Sequence, residues 1–428
     1  MPVELKLFAR VPTLILLGAA LGLGGCQCCE EGSTDAPATT ITTATPTTAS
    51  GAEGDEATTP AEAEVTWYDP TTWFRWLDGE KKPVRKAAAI PFEAYSTLGY
   101  QLQWTSFAAV QPGSTLEAVD IFDNVIIARD NRAAFTAISP RSGDIRWAQL
   151  QGYGLANFVG VVKASETILL IEEGQILPIT ADLGQAVLNS RGKPVVQTLG
   201  RVVRTEPLNV GGMLLFGTES GHVVAHVTRA GVTSWQYLIG GRVVAKPTLL
   251  RNGAAAVVST NGDVVVLSPE VGSALGRARV FGAIETPAVA GVDRFFVVSR
   301  DQSVYAFDDQ TCSPLWRVRT EAQLTSSPSF AEGKVFVQVP GTGLIALDAS
   351  NGQQAWLNSK ISGSVIGVRK GRVIVWDGAR ASVVEPLRGD IIATVDLPGL
   401  KELRVVPFVD GDLYALWNEG QISRFVTK

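Results

Sequence analysis

The sequence predicts an all-β ring of short, similar sheets, and three observations carry that expectation. An eleven-residue strand–turn–strand frame recurs along the chain. Its turn returns at a period near 40, and an isolated strand ahead of the repeats matches one missing at their end.

The clearest copy of the frame is Ala346–Trp356 (ALDASNGQQAW): an apolar strand, a tight turn at Ser350-Asn351-Gly352 and a second strand closing on a large aromatic. Gly352 supplies the left-handed backbone such a turn needs. Good copies are Ala137–Trp147 (AISPRSGDIRW), Ala225–Trp235 (AHVTRAGVTSW) and Ala306–Trp316 (AFDDQTCSPLW). Degenerate ones are Pro178–Leu188, Val266–Gly276 and Val383–Ala393, where the Trp is lost.

The turn position falls at Gly143, Gly184, Gly231, Gly272, Cys312, Gly352 and Gly389, giving spacings of 41, 47, 41, 40, 40 and 37. A period near 40 built from several short strands marks propeller blades rather than helical solenoids. Within one unit, Ser326–Phe330, Lys334–Val339, Gly343–Leu347 and Gln353–Leu357 read as four strands bounded by Gly, Pro or Asn. After the last frame only three strands follow: Leu403–Val409, Asp412–Trp417 and Gln421–Val426. Tyr100–Trp104 is the orphan. Joining it to the C-terminal three makes seven full blades and one shared blade. The expectation is an eight-bladed β-propeller of four-stranded antiparallel blades over residues 100–428, closed by its N-terminal strand so that no sheet edge is stranded. Trp104, Trp147, Trp235, Trp316 and Trp356 are expected to wedge each outer strand against the next blade, with ligand stacking as the alternative.

Ahead of the repeats lie three further segments. Residues 1–25 read as an export signal, with Lys6 and Arg10 before the apolar run Val11–Leu23 and a cleavage box Leu23-Gly24-Gly25-Cys26. The run is short for a membrane-spanning helix. Residues 26–64 form a Thr/Ala/Pro/Gly-rich acidic stretch with no Lys or Arg, read as a disordered tether. Residues 65–99 crowd Trp67, Tyr68, Trp73, Phe74, Trp76, Phe92 and Tyr95 beside Lys81, Lys82, Arg85 and Lys86. That composition fits a strap packed on the propeller. It also fits a partner-docking or membrane-skimming element, in which Trp67, Trp73, Phe74 and Trp76 would make the contact.

Composition argues against several functions. The net charge is −5, with 37 basic and 42 acidic residues, so there is no nucleic-acid footprint. Adjacent Cys28 and Cys29 fall in the tether, and Cys312 is the lone cysteine of the repeats, so a disulfide framework is not expected. The two histidines, His222 and His226, would lie ~13 Å apart along one strand, too far to share a zinc ion. Ser-His-Asp catalysis needs a His oriented by an acid, and neither has a sequence cue for that. Asp308, Asp309 and Asp348 occupy turns, where carboxylates ordinarily accept backbone amides. Arg201, Arg204, Arg242, Arg277, Arg279 and Arg317 fall near connections between blades and either line one face or stand as solvated loop charges.

The frame Ala-Leu-Asp-Ala-x-x-Gly-x-x-x-Trp at Ala346–Trp356 resembles the repeat of the pyrroloquinoline-quinone-type propellers, over roughly Tyr100 to Lys428. Two branches share that repeat. Quinone-dependent dehydrogenases stack their cofactor on a disulfide between adjacent cysteines; here the only adjacent pair lies outside the repeats, and no cofactor residue carries over. The other branch comprises BamB-like lipoprotein scaffolds of the outer-membrane β-barrel assembly machinery. Leu-Gly-Gly-Cys resembles the bacterial lipoprotein box, which implies a lipid on Cys26; Gln27 after it implies the outer membrane, facing the periplasm. The resemblance therefore implies a monomeric, non-catalytic, protein-binding scaffold of the cell envelope. It implies no cofactor and no metal. A quinone- or small-ligand-binding propeller and an envelope sensor module are the alternatives.

Overall fold

The computed structural model describes residues 87–151 and 157–428, together with the backbone of two short antiparallel strands, Val65–Thr66 and Val84–Arg85. The proposed signal, the tether, Cys26, Trp67, Trp73, Phe74 and Trp76 lie outside the described residues.

The repeats form eight four-stranded antiparallel sheets arranged as a propeller. Blades 1 to 7 follow the chain from Leu116–Leu150 to Ser364–Asp396, each running from its innermost first strand to its outermost fourth. Blade 8 takes Glu402–Val406, Asp412–Leu416 and Gln421–Thr427 from the C-terminal end and Tyr100–Phe107 as its outer strand. Tyr100 faces Thr427 and Phe107 faces Gln421, so the ring is sealed by a β-ladder with one bulge near Leu102. No helix interrupts the described residues after Tyr100.

The eleven-residue frame is the hairpin between strands three and four. Its first and last residues are paired directly: Ala137 with Trp147, Ala225 with Trp235, Ala306 with Trp316 and Ala346 with Trp356. A β-bulge follows immediately in each hairpin, which adds local twist. Apolar patterning follows position in the blade. The second and third strands are covered on both faces, so Val335–Val337 and Leu344–Leu347 are buried without alternation. The fourth strand has one face in solvent and alternates, as in Val232–Leu238. Neighbouring blades share their cores: Phe296 and Val298 of blade 5 pack with Val335, Val337 and Ile345 of blade 6.

Blade 2 departs from the expected frame. After the turn at Gly184 the chain makes only isolated bridges, Ile179 to Ala186 and Leu188 to Pro194, around an extra turn. The fourth strand is the two-residue Gln197–Thr198, paired to Gln175–Ile176. This inserted hairpin accounts for the long spacing of 47.

The described part of the aromatic segment packs against the seam. A six-residue helix, Phe92–Thr97, follows Pro91, whose fixed φ suits a first turn. Tyr95 stacks on Phe425 at 3.8 Å between ring centres and is 1% exposed; Phe92 is 61% exposed. Tyr95 and Leu98 share a core with Ala381, Val383 and Phe425 of blades 7 and 8.

Candidate protein-binding face

Antiparallel blades place their loops on two faces. The turns joining strands one to two and three to four form one, here the turn face. Those joining strands two to three, with the connections between blades, form the other, the connection face.

On the turn face, each repeat tryptophan reaches into the next blade in the same way. The indole N–H of Trp104 donates to Pro140 O at 2.9 Å, Trp147 to Ala181 O at 3.1 Å, and Trp235 to Pro269 O at 2.8 Å. Trp316 donates to Ala349 O at 3.1 Å and Trp356 to Pro386 O at 2.8 Å. Each acceptor lies three residues before the turn glycine, and each indole ring lies flat over that glycine. A Cβ built on Gly184 or Gly389 would stand 2.6 Å from the ring of Trp147 or Trp356. Both glycines also hold φ near +70 to +80°. Glycine and tryptophan are therefore one device: the missing side chain makes room for the ring, and the ring's single donor satisfies a turn carbonyl.

Three junctions lack the tryptophan, and each is solved differently. Between blades 2 and 3, Gln197 stands in. Its amide donates to Thr228 O at 2.9 Å, again three residues before the turn glycine Gly231, and its oxygen meets His226 Nε2 at 2.8 Å. Between blades 4 and 5 the outer strand carries Gly276 and the turn carries Cys312, at φ +59°. A Cβ on Gly276 would stand 2.8 Å from that of Cys312, so the strand lies directly on the turn. The carbonyl three residues before, Asp309 O, is taken by Asn252 at 2.7 Å. Between blades 7 and 8 there is no turn to cover, because strands three and four of blade 8 come from residues 421–427 and 100–107; Ala393 packs with the core that holds Tyr95.

The axis is lined by mixed charges. Asp120, on the innermost strand of blade 1, feels Glu206, Arg404, Arg129 and Lys246 from blades 3, 8, 1 and 4; burial, then Glu206, pushes its carboxyl up to about 6. Lys246 pairs with Glu206 at 3.2 Å. Lys401 donates to Glu117 O at 2.6 Å and Arg404 to Val119 O at 2.8 Å, tying the innermost strands of blades 8 and 1 together at the axis.

The connection face holds most of the arginines singled out in the sequence, and three of them, Arg204, Arg242 and Arg317, are committed to ion pairs. Arg204 pairs with Glu173 and, at 4.0 Å, with Glu219, which also takes Arg242 at 3.3 Å. Arg201 donates to Gln236 at 2.5 Å, and Arg277 lies 5.9 Å over the ring of Tyr237. Arg317 pairs with Asp301 at 3.4 Å and sits between two rings, 5.3 Å from the centres of Phe281 and of Tyr305. Phe281 is 86% exposed, the most exposed large apolar side chain among the described residues. Aligned connections place Gly240 before Gly241 where this one has Phe281 before Gly282, a contrast already visible in the sequence. An exposed aromatic held by an arginine already fixed by its own partners is the composition of a binding hot spot.

The histidines serve the fold. His226 is fully buried, its Nε2 against Gln197; burial lowers it below the ordinary imidazole value. His222 Nδ1 lies 3.1 Å from Ser220 Oγ on an exposed turn, and among the described residues no carboxylate is hydrogen-bonded to the pair. Cys312 is buried, and its thiol is pushed up to about 12 by burial. Asp308 and Asp348 carboxylates accept amides of their own turns, Thr311 N and Ser350 N, at 2.8 and 2.9 Å.

Comparison with known proteins follows this geometry. A family described as outer membrane protein assembly factor BamB matches residues 132–285 and 260–399. The outer membrane protein assembly factor BamB of Burkholderia pseudomallei (strain K96243) is 30% identical over 156 residues, which is 35% of this chain and 40% of that protein. The match thus spans less than half of that relative's length. Among solved structures, BamB from Moraxella catarrhalis superposes with a TM-score of 0.59 at 18% identity, covering 77% of this chain and 98% of that one. The computationally designed Ika8 protein superposes at 0.58 and 12% identity, covering 75% and 98%. At those identities the two structures speak for the fold.

Proposed function

We propose, for a chain that belongs to the family of outer membrane protein assembly factor BamB, a role as a non-catalytic, protein-binding scaffold in outer-membrane β-barrel assembly. In this reading the chain is exported, lipidated on Cys26 and held at the outer membrane facing the periplasm, with residues 26–64 as tether and the propeller as a monomeric docking platform. The observation that carries it is the family match across residues 132–399. Its physical support is the connection face, where rigid blades present loops and where Arg317 lies against the rings of buried Tyr305 and solvent-exposed Phe281.

The test is affinity capture from envelope extracts with a C-terminal tag. β-Barrel assembly components are expected in the eluate, and Phe281→Ala is expected to deplete them several-fold while leaving the fold intact. A Cys26→Ser chain should shift from the membrane to the soluble fraction. Recovery of soluble small-molecule enzymes alone would sink the scaffold reading.

A further inference from the structure

The turn face carries a second feature that the scaffold reading does not use. At the junction of blades 4 and 5, where Gly276 and Cys312 replace the tryptophan and glycine, two clefts adjoin through Asn252 and Gln310. One, of about 680 Å³, is walled by Val210, Ala254, Pro269 and Leu275, with Glu270 at its side. The other, of about 440 Å³, is walled by Asp293, Asp308, Asp309 and Arg251.

The acidic end is not self-satisfied. Asp308 is consumed by its own turn, accepting Gln310 N at 3.1 Å and Thr311 N and Oγ1 at 2.8 Å. Arg294 sits opposite Asp308 and acts on that carboxylate through its charge, but gives its hydrogen bonds to Ala349 O and Ser350 O at 3.1 and 2.9 Å. Asp309 differs from both. Its residue is 5% exposed, it lines the cleft, and among the described residues no other side chain or backbone amide donates to its carboxylate. Its main chain is pinned on both sides, with its N–H to Asp293 O at 3.2 Å and its C=O to Asn252, which fixes where the side chain leaves the turn. Burial, then Asp308 and Asp293, raises it above the ordinary carboxylate value. A metal is not the natural complement, since among the described residues no three acidic, histidine or cysteine side chains converge as ligands. At the other end Leu275, on the outer strand, is 51% exposed and Val271, in the turn before it, 67% exposed, an uncovered apolar wall.

We propose that this groove docks an extended peptide segment of a partner protein, in which an arginine or lysine enters the Asp293–Asp309 end and a neighbouring apolar side chain lies against Leu275 and Val210. Four acidic groups against one arginine along the two clefts make the attraction specific for cationic sequence. The site is on the face opposite Phe281, so it stands or falls independently of the scaffold reading.

Fluorescence anisotropy of the full chain with two labelled peptides tests it. One alternates Leu and Arg between Gly-Ser ends; in the other Glu replaces Arg. The Arg peptide is expected to bind at least about tenfold more tightly than the Glu peptide, and Asp293→Asn/Asp309→Asn is expected to weaken it about tenfold, or ~1.4 kcal/mol. Leu275→Ser should weaken it a further few-fold, and Glu219→Gln on the connection face should not change it. Equal binding of both peptides, or undiminished binding by the double variant with its melting temperature intact, overturns the proposal. So does free argininamide binding as tightly as the peptide, which would reduce the groove to a site for a lone cation. Should the double variant not fold, the two-peptide comparison on the parent chain and the Leu275→Ser variant decide.

Discussion

The junction between blades 1 and 2 and the junction between blades 2 and 3 do the same job with different chemistry. In the first, Trp147 lies over Gly184 and donates to Ala181 O. In the second, Gln197 lies beside Gly231 and donates to Thr228 O. The geometric demand is common to both: a turn carbonyl three residues before a left-handed residue must be satisfied from the preceding blade. What differs is how much apolar area covers the turn. An indole brings a donor and a large ring; an amide brings a donor and little else. The repeat's most visible letter is therefore replaceable, whereas the carbonyl it satisfies is not left unpaired at any of the turns that have one.

That comparison can be broken by experiment. The largest expected effect is Trp147→Ala, which removes both ring and donor from a 4%-exposed site and should cost ~3–5 kcal/mol, read as a drop in the denaturant midpoint. A cost below ~1 kcal/mol would mean that the ring is not what holds the blades together. A smaller loss is expected for Gln197→Ala, ~1–3 kcal/mol, because Thr228 O and His226 lose their partner while little apolar area is exposed. If this variant proved as damaging as the tryptophan one, area would not be the distinguishing term.

The smallest effect is pH-dependent and belongs only to the second junction. His226 titrates below 6.5 in the fold and near 6.5 unfolded, so the unfolded chain takes up a proton first as the pH falls. Its contribution to stability is full above about pH 6.5 and is lost below it as the folded pKa is approached. A His226→Gln chain should accordingly lose less melting temperature between pH 7.5 and 5.0 than the parent. An equal or larger drop would show that the imidazole is not held neutral by burial.

Much of the ring was legible in the chain. The hairpin frames were readable because a turn glycine, a closing tryptophan and an alanine opposite it are local demands of one bulged hairpin, met within eleven residues. Closure was readable because three strands without a fourth, and one strand without a sheet, leave a single way to pair every edge. Other features were hidden for a physical reason. The closing strand of blade 2 was displaced by the inserted hairpin, and only the spacing of 47 betrayed it. The glutamine that replaces tryptophan there, and the asparagine that reaches Asp309 O from another hairpin of blade 4, act across sequence gaps with no fixed period. The arginines near the connections were visible as a group, but not that Arg317 would stand between two rings while Arg204 and Arg242 share Glu219.

By itself, then, the sequence determined the number of blades, the position of the outer hairpins other than that of blade 2, and the manner of closure, since each follows from local turn chemistry and from counting strands. Only the tertiary structure decided which side chains meet across blades: the donor for each turn carbonyl, the exposed stack at Phe281, and the uncompensated Asp309. Those contacts depend on how eight twisted sheets pack around one axis, and packing distance is not written in any single repeat.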